Sequence, residues 1–65
     1  MRIDPQTIYD FKVIRGMSKE LSAELESALV SATLSKSLVS KVVGGVRLVS
    51  GSSVLQWLEG YLRSP

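Results

Sequence analysis

The chain has 65 residues, a formal net charge of +2 and neither cysteine nor histidine. Disulfides are therefore excluded as a source of stability, and a zinc site would need an unusual shell of oxygen ligands alone. A chain of this length holds one domain and has little stability to spare unless its core is well packed or it self-associates.

The first predicted element is a helix over residues 5–15. Asp4 is a good N-cap residue, and Pro5 suits the first helical position because its missing N–H has no helical partner there. An apolar stripe follows at a spacing of three residues, formed by Ile8, Phe11 and Ile14. Gly16 is typical of the residue that ends a helix.

Two further helices are predicted over residues 19–32 and 36–43. Ser18 is the candidate cap of the first of these, whose apolar face consists of Leu21, Leu25, Ala28, Leu29 and Ala32. A polar run from Thr33 to Ser37 falls where the apolar stripe changes direction, which predicts a break in the helix. Gly44 and Gly45 then end the third helix, since paired glycines destabilise helices.

The last part of the chain contains a short ambiguous segment and a fourth helix. Residues 46–48 alternate apolar and basic side chains, which is compatible with a brief extended segment. The fourth helix is predicted for "SVLQWLEGYLR", with apolar residues Val54, Leu55, Trp57, Leu58, Tyr61 and Leu62. These elements together predict an all-α fold, a compact bundle of four short helices in a single domain over residues 1–65.

Enzyme activity is not expected. The usual general base and the thiol nucleophile are missing, and Glu20 and Glu24 lie one turn apart on a polar helix face that water solvates. Gly44 and Gly45 lack the spacing of a phosphate-binding loop. We therefore predict a non-enzymatic protein without a cofactor or a metal.

A membrane location is not expected either. The most apolar stretch, residues 38–58, is interrupted by Lys41 and Arg47, whereas a spanning helix needs about 20 consecutive apolar residues. The N-terminus has no apolar run of the kind that marks a secretory signal. The sequence predicts a soluble, cytoplasmic protein.

Basic residues are concentrated in the second half of the chain. Residues 27–65 contain Glu59 as their single acid, against the four basic residues Lys36, Lys41, Arg47 and Arg63. Residues 1–26 hold the other four basic residues and the other five acids. A basic stretch of this kind is a modest electrostatic footprint for a polyanion.

The stretch "SKSLVSKVVGGVRLVSGSSVLQWLEG" resembles the helix-turn-helix of small phage repressor and Cro-type proteins in two registers. In the first, a helix over residues 40–47 precedes a reading helix over about 50–59, with Gly44 at the close contact between them. Val54 and Trp57 are then buried anchors, and the residues facing DNA are Ser50, Ser52, Ser53 and Gln56. Arg47 and Leu48 depart from the usual residue types in this register.

The second register uses a first helix over about 25–32 and a reading helix over about 35–43, and it agrees better with the predicted helix breaks. Its buried positions are Leu34, Val39 and Val42, and its outward-facing positions are Ser35, Lys36, Ser37, Ser40 and Lys41. The resemblance implies a transcriptional regulator that binds double-stranded DNA as a homodimer. Phosphate contacts would come from Lys36, Lys41 and Arg47, and base-edge or backbone contacts from Ser35, Ser37 and Ser40.

The competing prediction is a helical protein-interaction module, either an oligomerising adaptor or an anti-regulator. Small apolar-rich chains often bury their excess apolar surface against a partner protein or a second copy. The predicted interface consists of Trp57, Leu58, Tyr61 and Leu62, and aromatic residues are prominent in interface hot spots.

Overall fold

The computed structural model describes residues 2–63 and contains both helices and strands. In chain order the elements are β1 (Ile8–Asp10), α1 (Phe11–Leu21), α2 (Ala23–Leu34), β2 (Lys41–Val43), β3 (Val46–Ser50) and α3 (Gly51–Arg63). The three strands form one antiparallel sheet in the order β1-β3-β2. The predicted all-α bundle of four helices is therefore wrong, and the fold is mixed α/β.

The first half of the predicted helix over residues 5–15 is a turn followed by β1. The Asp4 carboxylate accepts a hydrogen bond from the Gln6 N–H at 2.8 Å, so Asp4 organises a turn and does not cap a helix. Tyr9 then pairs with Val49 of β3. The helix α1 starts only at Phe11, because the Asp10 carboxylate accepts from the Lys12 N–H at 2.9 Å and acts as the cap.

The boundary between the first two helices lies later than the sequence predicts. Gly16 is inside α1, and Ser18 is fully buried with its hydroxyl donating to the Ile14 carbonyl at 2.9 Å. Ser22 alone separates α1 from α2, and its hydroxyl accepts the Glu24 N–H at 3.1 Å. Ser18 and Ser22 are both suitable caps by residue type, and the packing of α1 against α2 decides between them.

A break between Thr33 and Ser37 is present, because α2 ends at Leu34. Lys36 adopts a positive φ of 65°, and the Leu38 N–H donates to the Ala32 carbonyl at 3.1 Å, so the chain folds back over the helix end. Leu38 consequently returns to the core, where it is 2% exposed.

A β-hairpin replaces the predicted helix over residues 36–43. Gly44 and Gly45 both have positive φ, at 57° and 80°, which is the requirement of the two-residue turn that best joins antiparallel strands. Val43 pairs with Val46 across this turn, and β-branched residues favour strands. Gly44 and Gly45 therefore form the turn between β2 and β3 and do not end a helix as predicted.

The core is small and lies between the helices and one face of the sheet. Its buried apolar side chains are Ile14, Leu29, Ala32, Leu38, Val49 and Val54. The predicted fourth helix is present as α3, whose Gly51 N–H donates to the Thr7 carbonyl at 2.8 Å. A Cβ at Gly51 would collide with the Asp4 carbonyl, so only glycine fits this close approach. Within residues 2–63, every helix falls short of the length and hydropathy needed to cross a bilayer.

Candidate nucleic-acid interface

A groove of about 550 Å³ lies between the C-terminal end of α2 and the hairpin. Lys36 and Arg47 border it, and Leu34 and Ser40 line it with them. No acidic residue is among its lining residues, and neither ion pair found within residues 2–63 involves Lys36 or Arg47. We call it the Lys36–Arg47 groove. Its two cations are available to an anion from solution.

Lys36 occupies a backbone conformation that favours glycine. The left-handed region costs a residue with a Cβ about 1–2 kcal/mol, and this position directly follows the C-cap residue Ser35, where glycine is the usual choice. A long cationic side chain is therefore held here against the local backbone preference. Residues with strained backbone conformations cluster at functional sites, which makes Lys36 a candidate functional residue.

Arg47 is held in place by the loop that precedes the hairpin. Its guanidinium donates a hydrogen bond from Nη1 to the Ser40 hydroxyl at 2.7 Å, which restricts the side chain before any ligand arrives. Arg47 also lines a second groove of about 240 Å³, together with Lys12 and Arg15 of α1 and with the acidic residue Asp10. Basic residues therefore outnumber acids from Lys36 across the hairpin to the N-terminal half of α1.

The predicted DNA-contacting residues do not all reach this groove. Lys41 pairs with Leu48, whereas Arg47 pairs with Val42, so Lys41 and Arg47 occupy opposite faces of the hairpin. Lys41 lines an apolar groove of about 340 Å³ on the other face of the sheet.

The three serines predicted to contact DNA also lie in different places. Ser40 lies in the Lys36–Arg47 groove, where it anchors Arg47. The Ser35 and Ser37 hydroxyls lie 3.0 Å apart, and Ser37 lines a different groove beside α3.

Both helix-turn-helix registers predicted from the sequence are wrong. The first helix of one register, residues 40–47, is mostly the hairpin, and the reading helix of the other, residues 35–43, is a loop followed by β2. The second register also predicts three buried residues, Leu34, Val39 and Val42, which are 78%, 72% and 54% exposed. Strand pairing with β3 takes the place of helix formation in this part of the chain.

The exposed face of α2 runs directly into the Lys36–Arg47 groove. It consists of Ala23, Glu24, Ser27, Ser31 and Leu34, which recur at helical spacing, and Leu34 also lines the groove. The side chains between the two ends of this stripe are small, and α2 itself contains no basic residue. Lys36 follows the C-terminal end of this stripe, whereas Glu24 and the ion pair of Arg15 with Glu26 lie nearer its N-terminal end.

The predicted protein-interface residues lie on α3. Trp57 and Tyr61 stack with their ring centroids 5.4 Å apart, and together they line a groove of about 540 Å³ whose lining residues are all uncharged. Trp57 and Leu58 are half-buried, whereas Tyr61 and Leu62 are 38% and 73% exposed. The four residues therefore combine core packing with an exposed apolar end.

Sequence reasoning missed the contribution of α1 to the cationic surface. Lys12 and Arg15 are three residues apart, which places them on one helix face, but the charge count of residues 1–26 hides them among five acids. Arg15 also pairs with Glu26 of α2 at 3.0 Å, so its charge is partly compensated. The spacing of three residues between Lys12 and Arg15 could have predicted that α1 presents two cations on one face.

Within the part of the chain that the structure describes, no cluster of three or more acidic, Cys or His side chains can hold a metal ion. The Lys36–Arg47 groove offers the ammonium and guanidinium groups of Lys36 and Arg47, which are hydrogen-bond donors with positive charge and suit an anion. Comparison of the chain with protein-family models, with curated proteins and with solved structures yields no match.

Proposed function

We propose that this protein is a small DNA-binding regulator whose Lys36–Arg47 groove contacts the phosphate backbone of duplex DNA. The observation that carries the proposal is that two cations without an acidic partner among residues 2–63 converge on one groove. Lys36 stands there in a strained backbone conformation, and Arg47 is positioned by Ser40. Phosphate contacts of this kind supply most of the non-specific affinity of a protein for DNA.

The exposed face of α2 suits the major groove in this arrangement. An α-helix fits that groove, and the small side chains of Ser27 and Ser31 favour a close approach to base edges. Glu24, at the N-terminal end of the same face, must then lie away from the phosphates. The helix pair α1–α2, joined at Ser22, takes the place of the helix-turn-helix in a register that differs from both sequence-based ones. Its junction is shorter than the turn of about 3–4 residues that such motifs usually have.

The biological role we propose is transcription regulation in the cytoplasm. A chain this small, if it binds DNA, acts by occupying its site or by bringing another protein to it. Serine hydroxyls both donate and accept hydrogen bonds and therefore discriminate bases poorly, so specificity would also depend on DNA shape.

The test is a titration of a fluorescent random-sequence duplex with wild-type protein and with Lys36→Ala/Arg47→Ala, over a series of salt concentrations. We expect the double variant to lose about tenfold or more in affinity at low salt. We also expect its plot of log affinity against log salt to be shallower by about two, since each phosphate contact contributes roughly 0.9 to the slope.

The matched control is Arg2→Ala/Lys19→Ala, which removes the same two kinds of charge from exposed positions outside the groove. It should lose much less affinity than the groove variant. Equal losses in the two variants would show that only net charge matters, and the absence of duplex binding by the wild type would end the proposal.

A second candidate function is protein binding through α3, which the stacked Trp57–Tyr61 pair and its uncharged groove favour. Salt separates the two functions, because an uncharged aromatic interface responds much less to ionic strength than phosphate contacts do. Binding to duplex DNA that weakens steeply with salt supports the first function, and its absence favours the second.

A further inference from the structure

The groove of about 240 Å³ between the start of α1 and the hairpin adjoins the Lys36–Arg47 groove. Its charged lining residues are Asp10, Lys12, Arg15 and Arg47. We call it the Lys12–Arg47 groove. Arg47 is the one residue that lines both this groove and the Lys36–Arg47 groove. The two grooves therefore meet at a single guanidinium.

Lys12 is the cation of this groove that is free to bind an anion together with Arg47. The Asp10 carboxylate, the one acid in the lining, accepts from the Lys12 backbone N–H at 2.9 Å, where it caps α1. Arg15 is offset by Glu26 of α2 at 3.0 Å. Neither ion pair within residues 2–63 involves the exposed Lys12. Lys12 and Arg47 thus lack an acidic partner among the described residues.

Arg47 has enough hydrogen-bond donors to serve an anion in each groove. A guanidinium carries five N–H donors in a planar fork. Arg47 uses one of them, at Nη1, to bind the Ser40 hydroxyl at 2.7 Å. This contact restricts the side chain, and the other donors are left for phosphate oxygens.

The tip of the hairpin leaves room for a bulky anion beside these cations. Gly45 lines the Lys12–Arg47 groove, and a Cβ built at Gly44 or at Gly45 meets no atom within 4 Å. The turn therefore has no side chain that would hold a phosphate away, and glycine lets a ligand approach the backbone closely.

We infer that the Lys12–Arg47 groove binds a second phosphate of the duplex that the Lys36–Arg47 groove contacts, with Arg47 bridging the two phosphates. Adjoining cationic grooves fit a ligand whose anionic groups repeat, and the phosphates of DNA recur every 3.4 Å or so along each strand. This inference rests on the proposed DNA binding. It adds the start of α1 and the hairpin tip to the interface.

The test is a titration of a fluorescent random-sequence duplex with Lys12→Ala over a series of salt concentrations. We expect the plot of log affinity against log salt to become shallower by about one, since one phosphate contact is lost. For Lys12→Ala/Lys36→Ala the slope should fall by about two, because both grooves bind phosphate at the same time. The Lys12 N–H still bonds Asp10 in these variants, so circular dichroism should remain unchanged.

The matched control is Lys41→Ala, which removes the same charge from the opposite face of the hairpin. Its salt slope should equal that of the wild type. Equal effects of Lys41→Ala and Lys12→Ala would overturn the inference, because net charge alone would then explain the loss. An unchanged slope in Lys12→Ala, beside a reduced slope in Lys36→Ala/Arg47→Ala, would overturn the second contact and leave the proposed function standing. A wild type that does not bind the duplex would overturn both.

Discussion

Two regions of the molecule differ in how their helix ends and charges are stabilised. The first is the helix pair of residues 11–34, and the second is the loop, hairpin and junction of residues 35–51. In the helix pair, Asp10 and Ser22 cap the helix starts, and Arg15 is compensated by Glu26. In the second region, Lys36 has a strained backbone, and Arg47 has no acidic partner among the described residues.

Both regions expose large apolar residues. Val13, Leu21 and Leu34 lie in residues 11–34, Val39, Val42, Val43 and Val46 lie in residues 35–51, and each is at least 42% exposed. Both helices of the pair start at a side-chain cap and share one ion pair, whereas Lys36 and Arg47 have no acidic partner within residues 2–63. The difference teaches that helix capping and ion pairing are concentrated in the helix pair, whereas the two unpaired cations of the Lys36–Arg47 groove lie in residues 35–51.

The largest effect is expected at Gly51, where the second region meets α3. Gly51→Ala places a Cβ against the Asp4 carbonyl, and relief requires a backbone shift. We expect a loss of about 2–3 kcal/mol in the free energy of unfolding, in the upper part of the range of about 1–3 kcal/mol for overpacked sites. Urea denaturation of the variant measures this loss.

Gly16→Ala is the matched control from the helix pair. A Cβ at Gly16 meets no atom within 4 Å, and alanine is the better helix former, so this variant should gain up to about 1 kcal/mol. Similar effects at the two glycines would contradict the close approach at Gly51 and weaken the contrast between the regions.

A smaller effect of opposite sign is expected at Lys36. Lys36→Gly should raise the free energy of unfolding by about 1 kcal/mol, because glycine adopts the left-handed conformation without strain. The same variant should weaken duplex binding, since it removes a phosphate contact. Thermal denaturation and a duplex titration of one sample measure both quantities.

Lys36→Ala separates charge from strain. It removes the cation but keeps a Cβ in the left-handed region, so we expect the same loss of affinity without the gain in stability. An unchanged free energy of unfolding for Lys36→Gly would contradict backbone strain at this position. An unchanged duplex affinity for both variants would contradict a phosphate contact by Lys36.

The smallest effect is expected for the ion pair that joins α1 to α2. Glu26→Gln should cost about 0.5 kcal/mol at low salt, since Arg15 remains 54% exposed at its side chain and solvent weakens the attraction. The cost should shrink further as salt rises. Chemical denaturation at two salt concentrations measures it, with Glu20→Gln as an exposed acid outside any ion pair of residues 2–63. A larger loss for Glu20→Gln would show that the pair does not stabilise the helix junction.

Several features of the fold follow from local sequence alone. The helix break after Leu34, the apolar helix α3 and the burial of Ile14, Leu29 and Val54 all agree with periodicity and turn chemistry. The basic character of residues 27–65 likewise directs attention to Lys36 and Arg47. The predictions of the helix break, of α3 and of the three buried residues succeed because they depend on spacing and residue type within one segment.

The errors arise where distant segments meet. Asp4 and Asp10 are both acceptable caps, and Gly44-Gly45 suits a hairpin as well as a helix end. The sequence therefore determines charge, helix-forming segments and candidate turn residues. Only the tertiary structure decides that β1 pairs with β3, that Lys41 and Arg47 separate onto opposite faces, and that Lys12 approaches Arg47. The physical reason is that strand pairing and groove formation depend on contacts between residues far apart in the chain, whose free energy exceeds the local preferences of each segment.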